Sequence, residues 1–365
     1  MTQTSKESYW ADYREKELAF FTPLLAKHGY TLDDEQPHIY GERYLMHAVT
    51  TQSGTKLILL GKNNSGVRVV IKVTRDRSGM REILHERTCR KVLAKLNFAY
   101  GTFASPTEID FIQKPSYIIS AQEYIDQKCM FIERPIEEQF DFALRAFKAQ
   151  ESAHATTANH IRLITSTFGS RDADDYLSCF KGFVQDILFA FPEYEELLKE
   201  ASAELEENRT IIEQYCGFLT HVDFVPHNFR IKDKTLYLLD QSSLRFGNKY
   251  EGWARFINFM TLYNPELARL LTQYVKDNRT EEETISLQMM RLYRLTELMF
   301  YYTHTLAKSN GSLKKLNTER VHFWAEVLKS VLKKEGLSET IRNSYTEKRD
   351  DLRTEEEKKR QVGLH

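Results

Sequence analysis

The 365-residue sequence predicts an α+β protein of two lobes, a small antiparallel β-sheet N-lobe followed by a large, mainly helical C-lobe. Three observations lead there. Segments rich in β-branched and aliphatic residues, separated by turn signals, crowd the stretch from Ile39 to about Asp76. Beyond Ile125 the apolar residues recur at helical spacing. The chain is also long enough to bury two cores.

In order along the chain, residues 1–35 form an N-terminal helical extension. Tyr9, Leu18, Phe21, Leu24 and Leu25 share a helical face, and Gly29 supplies the stop. Residues 36–125 form the N-lobe. YLMHAVTT, KLILLGK and VRVVIKV, parted by QSG and NNSG, read as a three-stranded antiparallel meander. REILHERTCRKVLAKL follows as a helix lying on the sheet, and Thr107–Ile112 and Ser116–Tyr124 add two strands. Residues 126–337 form the C-lobe, with helices over 138–157, 173–190, 193–215, 251–276 and 280–307. A short strand-like interval from Phe218 to Leu239 interrupts them. Residues 338–365 are a charged tail, KRDDLRTEEEKKR within it, read as a solvated helix or a disordered segment.

Lys plus Arg (51) nearly balances Asp plus Glu (52), so no global field draws nucleic acid or an anionic membrane. Cys89, Cys129, Cys179 and Cys216 form no CxxC pair and are too sparse for a disulfide framework, which favours reduced thiols and a cytoplasmic setting. The N-terminus is charged where a signal peptide needs an apolar run, and no stretch approaches the ~18 apolar residues of a membrane span. Neither secretion nor membrane insertion is expected.

The chemistry concentrates in His221-Val-Asp223-Phe-Val-Pro226-His-Asn228, followed by RIKDKT and the apolar run leading to Asp240. Phosphoryl transfer asks a protein for positioning, metal ions on phosphate oxygens and a carboxylate near the attacking hydroxyl. Asp223 can accept or orient that hydroxyl's proton. Asn228, through its amide oxygen, and Asp240, through its carboxylate, can hold Mg²⁺, a hard cation that prefers oxygen ligands. The five-residue offset lets one loop present Asp223 and Asn228, and a hairpin turning at Lys232–Thr235 brings Asp240 back to face Asn228. Upstream, Lys72 on a strand and Glu86 on the following helix can pair and hold an ammonium against the α and β phosphates. Glu82 and Arg90 are rival partners.

These motifs resemble the aminoglycoside phosphotransferase and choline kinase group within the protein-kinase-like fold, over roughly residues 36 to 310. The group's His-x-Asp-x-x-x-x-Asn loop matches at His221, Asp223 and Asn228, with Pro226 two residues before the Asn, and its metal-binding Asp matches Asp240. The resemblance implies a bilobed fold that moves the terminal phosphoryl group of ATP or GTP to a hydroxyl of a small molecule. It makes Lys72 the nucleotide anchor, Glu86 its helix partner, and Gln122-Glu123-Tyr124-Ile125 a hinge whose backbone would bond the base. Val70, with Phe229 or Ile231, would sandwich that base.

Several departures accompany the match. QSS follows Asp240 where protein kinases carry Phe-Gly, and the catalytic loop lacks their Arg before Asp223; both favour the small-molecule branch. In GNKYEGWARF, Ala254 and Arg255 remain, but Gly252 stands where the group has an Asp that supports the catalytic loop. TTQSGTK supplies a lean phosphate-covering turn. The alternatives are a protein kinase and a regulatory, nucleotide-binding pseudokinase. Asp172, Asp174 and Asp175 fit either a cationic acceptor or a solvated face, His221 reads as structural, and a zinc site from Cys216, His221 and His227 fails on spacing.

Overall fold

The computed structural model describes residues 4–34, 36, 56–95, 104–151, 158–353 and 358. Helix α1 (Thr4–Lys27) leads through Gly29, in the left-handed region at φ 83°, into strand β1 (Tyr30–Leu32). Strands β2 (Leu57–Asn63) and β3 (Arg68–Thr74), helix α2 (Arg77–Leu93) and strands β4 (Glu108–Lys114) and β5 (Tyr117–Glu123) follow. They form one antiparallel sheet in the order β1-β2-β3-β5-β4. The expected YLMHAVTT strand lies outside the described residues. The short edge strand β1 was not expected; three residues are too few to show a period.

Register decides what the sheet can do. Leu59, Ile71 and Ala121 stand in one row and Leu57, Val73 and Ile119 in the next, and these rows bury with Phe21 and Leu25 of α1. The α1 helix is thus packed into the N-lobe core. The intervening rows, Leu60-Val70-Gln122 and Ile58-Lys72-Ser120, take the other face.

Helices α3 (Ile136–Glu151), α4 (Ala158–Phe168), α5 (Ala173–Ala190), α6 (Glu195–Glu207) and α7 (Arg209–Gln214) open the C-lobe. Strands β6 (Phe218–His221), β7 (Phe229–Lys232), β8 (Thr235–Leu238) and β9 (Leu244–Gly247) come next. Helices α8 (Glu251–Tyr263), α9 (Pro265–Asn278), α10 (Glu281–Leu306), α11 (Gly311–Leu332) and α12 (Glu339–Asp351) complete it. The helix expected over 251–276 breaks at Asn264, which caps α9 by accepting from Leu267 N–H while Pro265 takes the first helical position. The one expected over 193–215 divides at Asn208, and residues 152–157 of the first lie outside the described set. In the charged tail, α12 packs on α11 by stacking Tyr345 on Phe323, centroids 4.1 Å apart.

An aromatic core carries the site loops. Phe147 of α3 stacks on Trp253 of α8 at 4.0 Å, and Phe224 and Phe229, either side of the 225–228 turn, stack at 5.2 Å. The β7–β8 hairpin turns through Asp233 (φ 49°) and Lys234 (φ 65°), the pair of positive φ angles that a two-residue hairpin turn requires.

Candidate active site

Lys72 and Glu86 meet: the ammonium lies 2.6 and 2.7 Å from the two carboxylate oxygens. The rivals are engaged elsewhere. Glu82 pairs with Lys56 at 3.2 Å, and Arg90 faces Glu108 at 3.5 Å. Val70 shares the Lys72 face, two residues away on β3 and directly opposite Gln122. Glu123 gives its N–H to the Thr107 carbonyl, and its carboxylate accepts from the Thr107 hydroxyl at 3.1 Å. Ile125 is buried, and its N–H meets no acceptor among the described residues. Phe229 and Ile231 point into the C-lobe core, at 1 % and 3 % exposure, so neither lies on the cleft side of β7.

Across the cleft, Asn228 donates its amide N–H groups to the Asp223 carbonyl (2.7 Å) and carboxylate (2.9 Å). Its amide oxygen accepts no hydrogen bond among the described residues. Arg255 of α8 grips the other Asp223 oxygen through Nε at 3.0 Å and a terminal nitrogen at 2.9 Å. The Asp223 side chain still keeps 43 % of its surface, enough for an incoming hydroxyl to reach. Burial pushes this carboxyl up, but Arg255, His221 and Arg294 outweigh it and hold it well below the usual carboxylate range.

Asp240 sits beside this pair because the hairpin returns it: Leu239 N–H donates to the Asn228 carbonyl at 2.9 Å. Ser242 and Ser243 donate hydroxyls to its two oxygens at 2.5 and 2.6 Å, so the QSS departure caps the carboxylate. Burial raises the Asp240 carboxyl, yet His221, these hydroxyls and Lys72 together bring it below its ordinary value. His221, fully buried and with its pKa lowered by that burial, donates Nε2–H to the Asp240 carbonyl at 2.7 Å.

Gly252 leaves no gap. A Cβ there would stand 2.3 Å from Gln150 Oε1 and 2.9 Å from the His221 carbonyl. Gln150, 2 % exposed on α3, accepts from the His221 N–H and the Thr220 hydroxyl, each at 3.3 Å. The support expected from an Asp at this position comes instead from a different helix. Arg255, Gln150, Ser242 and Ser243 are the site residues that sequence reasoning did not select. Arg255 was visible in the GNKYEGWARF match, whereas nothing local marks Gln150.

The donor set suits a hard divalent cation: an uncommitted amide oxygen and a carboxylate held side by side. Among the described residues no group of three or more His, Cys, Asp or Glu is arranged to hold a metal. Asp172 and Asp175 cap α5 and Asp174 pairs with Arg209 at 2.8 Å, so this acidic cluster has structural employment.

Neither a protein-family model nor a curated protein sequence matches the chain. Solved structures do. The GDP complex of aminoglycoside 2'-phosphotransferase-IIIa superposes with TM-score 0.54 at 11 % identity, covering 87 % of this chain and 98 % of that one. The macrolide 2'-phosphotransferase of Brachybacterium faecium gives 0.52 at 13 %, covering 84 % and 98 %. The chain has the kinase-like fold of these phosphotransferases. A third such structure, an aminoglycoside phosphotransferase in ternary complex with AMP-PNP and hygromycin B, gives 0.52 at 13 %, covering 86 % and 97 %. At such identities the likeness shows the kinase-like fold and leaves activity to the chain's own residues. No helix among the described residues is long and apolar enough to cross a membrane.

Proposed function

We propose that the chain transfers the terminal phosphoryl group of ATP or GTP, with Mg²⁺, to a hydroxyl of a small molecule. The observation that carries this reading is the half-open Asp223 carboxylate, clamped by Arg255 and Asn228 and a hairpin away from Asp240, whose carboxyl feels the Lys72 charge. On this reading the lobes meet at the Gln122–Ile125 hinge. The Ile125 N–H and the Glu123 backbone address the base, Val70 covers it, and Lys72, steadied by Glu86, lies along the α and β phosphates.

Asn228 and Asp240 would hold the Mg²⁺, which neutralises charge on the transferring phosphoryl group. Asp223 accepts the acceptor's O–H as a hydrogen bond and aims the oxygen at phosphorus. Because this carboxylate is a weak base, it takes the proton late, once the new O–P bond has made that proton acidic. Arg255 keeps the carboxylate ionised and fixes its orientation. Support for a small-molecule acceptor comes from the QSS segment, the absent Arg before Asp223, and solved neighbours named as aminoglycoside and macrolide phosphotransferases.

The test is transfer of labelled γ-phosphate from ATP and from GTP to a panel of aminoglycosides, macrolides and protein acceptors. Label on a small molecule, lost in Asp223→Asn, is the expected result. Label on protein alone would overturn the acceptor assignment, and undiminished turnover in the variant would remove Asp223 from its role.

A further inference from the structure

We propose that the guanidinium of Arg230, with Tyr237 beside it, forms the floor of the nucleotide-base site, so that the base is stacked between Val70 and a cation. This rests on the cleft being a nucleotide site.

The inference begins from strand register. Phe229 and Ile231 turn into the C-lobe core, where Phe229 packs on Phe131 and Phe224. Alternation then puts Arg230 on the opposite face of β7. Tyr237 stands directly across from it on β8, while Leu236 and Leu238 pack on the C-lobe core. The edges of this hairpin are tied to the chain just after the hinge and to the N-lobe segment ahead of β4. Ile231 N–H donates to Gln127 just after the hinge at 3.0 Å, and Ala104, ahead of β4, exchanges backbone hydrogen bonds with Leu236 and Leu238 at 3.1 and 2.8 Å. The outer face therefore looks across the cleft at the N-lobe.

The charge of Arg230 is placed differently from that of several other arginines. Arg75, Arg87, Arg255, Arg279 and Arg294 each meet a carboxylate. Among the described residues Arg230 donates only to the His227 and Phe229 carbonyls, at 3.4 and 3.0 Å, and, like Arg291, pairs with no carboxylate. Arg230 is half-buried on this face. A partly desolvated cation without an anion is costly unless something else satisfies it. Its hydrogen bonds lie in the guanidinium plane, which leaves the flat faces for the π system of a base.

Binding of Mg·AMP-PNP, Mg·GMP-PNP and Mg-tripolyphosphate, which has no base, is to be measured by calorimetry for the wild type, Arg230→Ala, Arg230→Lys and Lys72→Ala. Arg230→Ala and Arg230→Lys are expected to weaken both nucleotides about 5- to 30-fold and leave tripolyphosphate unchanged. Lys72→Ala should weaken all three. Equal losses for nucleotides and tripolyphosphate at Arg230 would make it a phosphate ligand and overturn the floor. Unchanged nucleotide affinity in the folded Arg230→Lys protein would overturn it too. A wild type that binds no nucleotide would instead overturn the reading on which the proposal rests.

Discussion

Two ion pairs belong to the candidate site, and they are built in opposite ways. Lys72–Glu86 is closed, with side chains 14 % and 5 % exposed and both carboxylate oxygens on the ammonium. Asp223–Arg255 is lopsided: the arginine is 8 % exposed, the aspartate 43 %. A closed pair fixes two secondary-structure elements against each other. A lopsided one holds a carboxylate still while leaving it reachable. The contrast separates a group that positions from a group that can touch an acceptor, although both are salt bridges at similar distances.

The sharpest way to break this contrast is to neutralise each carboxylate. Asp223→Asn should lower phosphoryl transfer by about 10²- to 10⁴-fold, the range of a positioned acid–base group, with a much smaller change in folding stability. Glu86→Gln should do the reverse in emphasis: removal of one partner of a buried pair costs about 3 kcal/mol, read as a lower midpoint in urea unfolding. Equal stability losses in the two variants would erase the distinction.

Gly252→Ala tests whether the catalytic loop is braced by Gln150. The added Cβ collides with Gln150 Oε1 and the His221 carbonyl, so stability should fall by about 1–3 kcal/mol. Turnover should fall more than nucleotide affinity, since the loop and not the Lys72 side moves. A fully stable and active Gly252→Ala would show that the loop has slack.

The smallest expected effect is on acid stability. Asp223 and Asp240 are held below their ordinary values, so they bind fewer protons folded than unfolded. Their contribution is complete above the unfolded carboxylate value of about 4 and is lost as pH falls through the lower folded values. Urea unfolding between pH 5 and 2 should therefore show a shallower decline in Asp240→Asn than in the wild type. At the other end, burial, with Asp240 and Glu86 adding to it, pushes the Cys89 thiol up to about 12. It should stay unreactive to thiol reagents at pH 8 and cost stability only above about 9.

The bilobed α+β fold was legible because its strands and helices carry strong, different periods. The candidate loop was legible because Asp223, Asn228 and Asp240 lie within one short stretch joined by a hairpin whose turn the sequence announces. Lys72 and Glu86 were legible as candidates, but Glu82 and Arg90 stood at equally plausible spacings, and only their engagement with Lys56 and Glu108 separates them. The division of the 251–276 helix was written in Asn264-Pro265 and overlooked, because the apolar period continues across it.

The sequence by itself determined the local elements, the order of the chemical groups and the loop that presents two of them, since each depends on neighbours a few residues apart. Tertiary structure alone decided which partner each charge takes, that Gln150 fills the space beside Gly252, and that Phe229 and Ile231 turn into the C-lobe core. Those outcomes depend on which face of a strand meets the core and on contacts between residues about 70 to 100 positions apart. No local pattern records them.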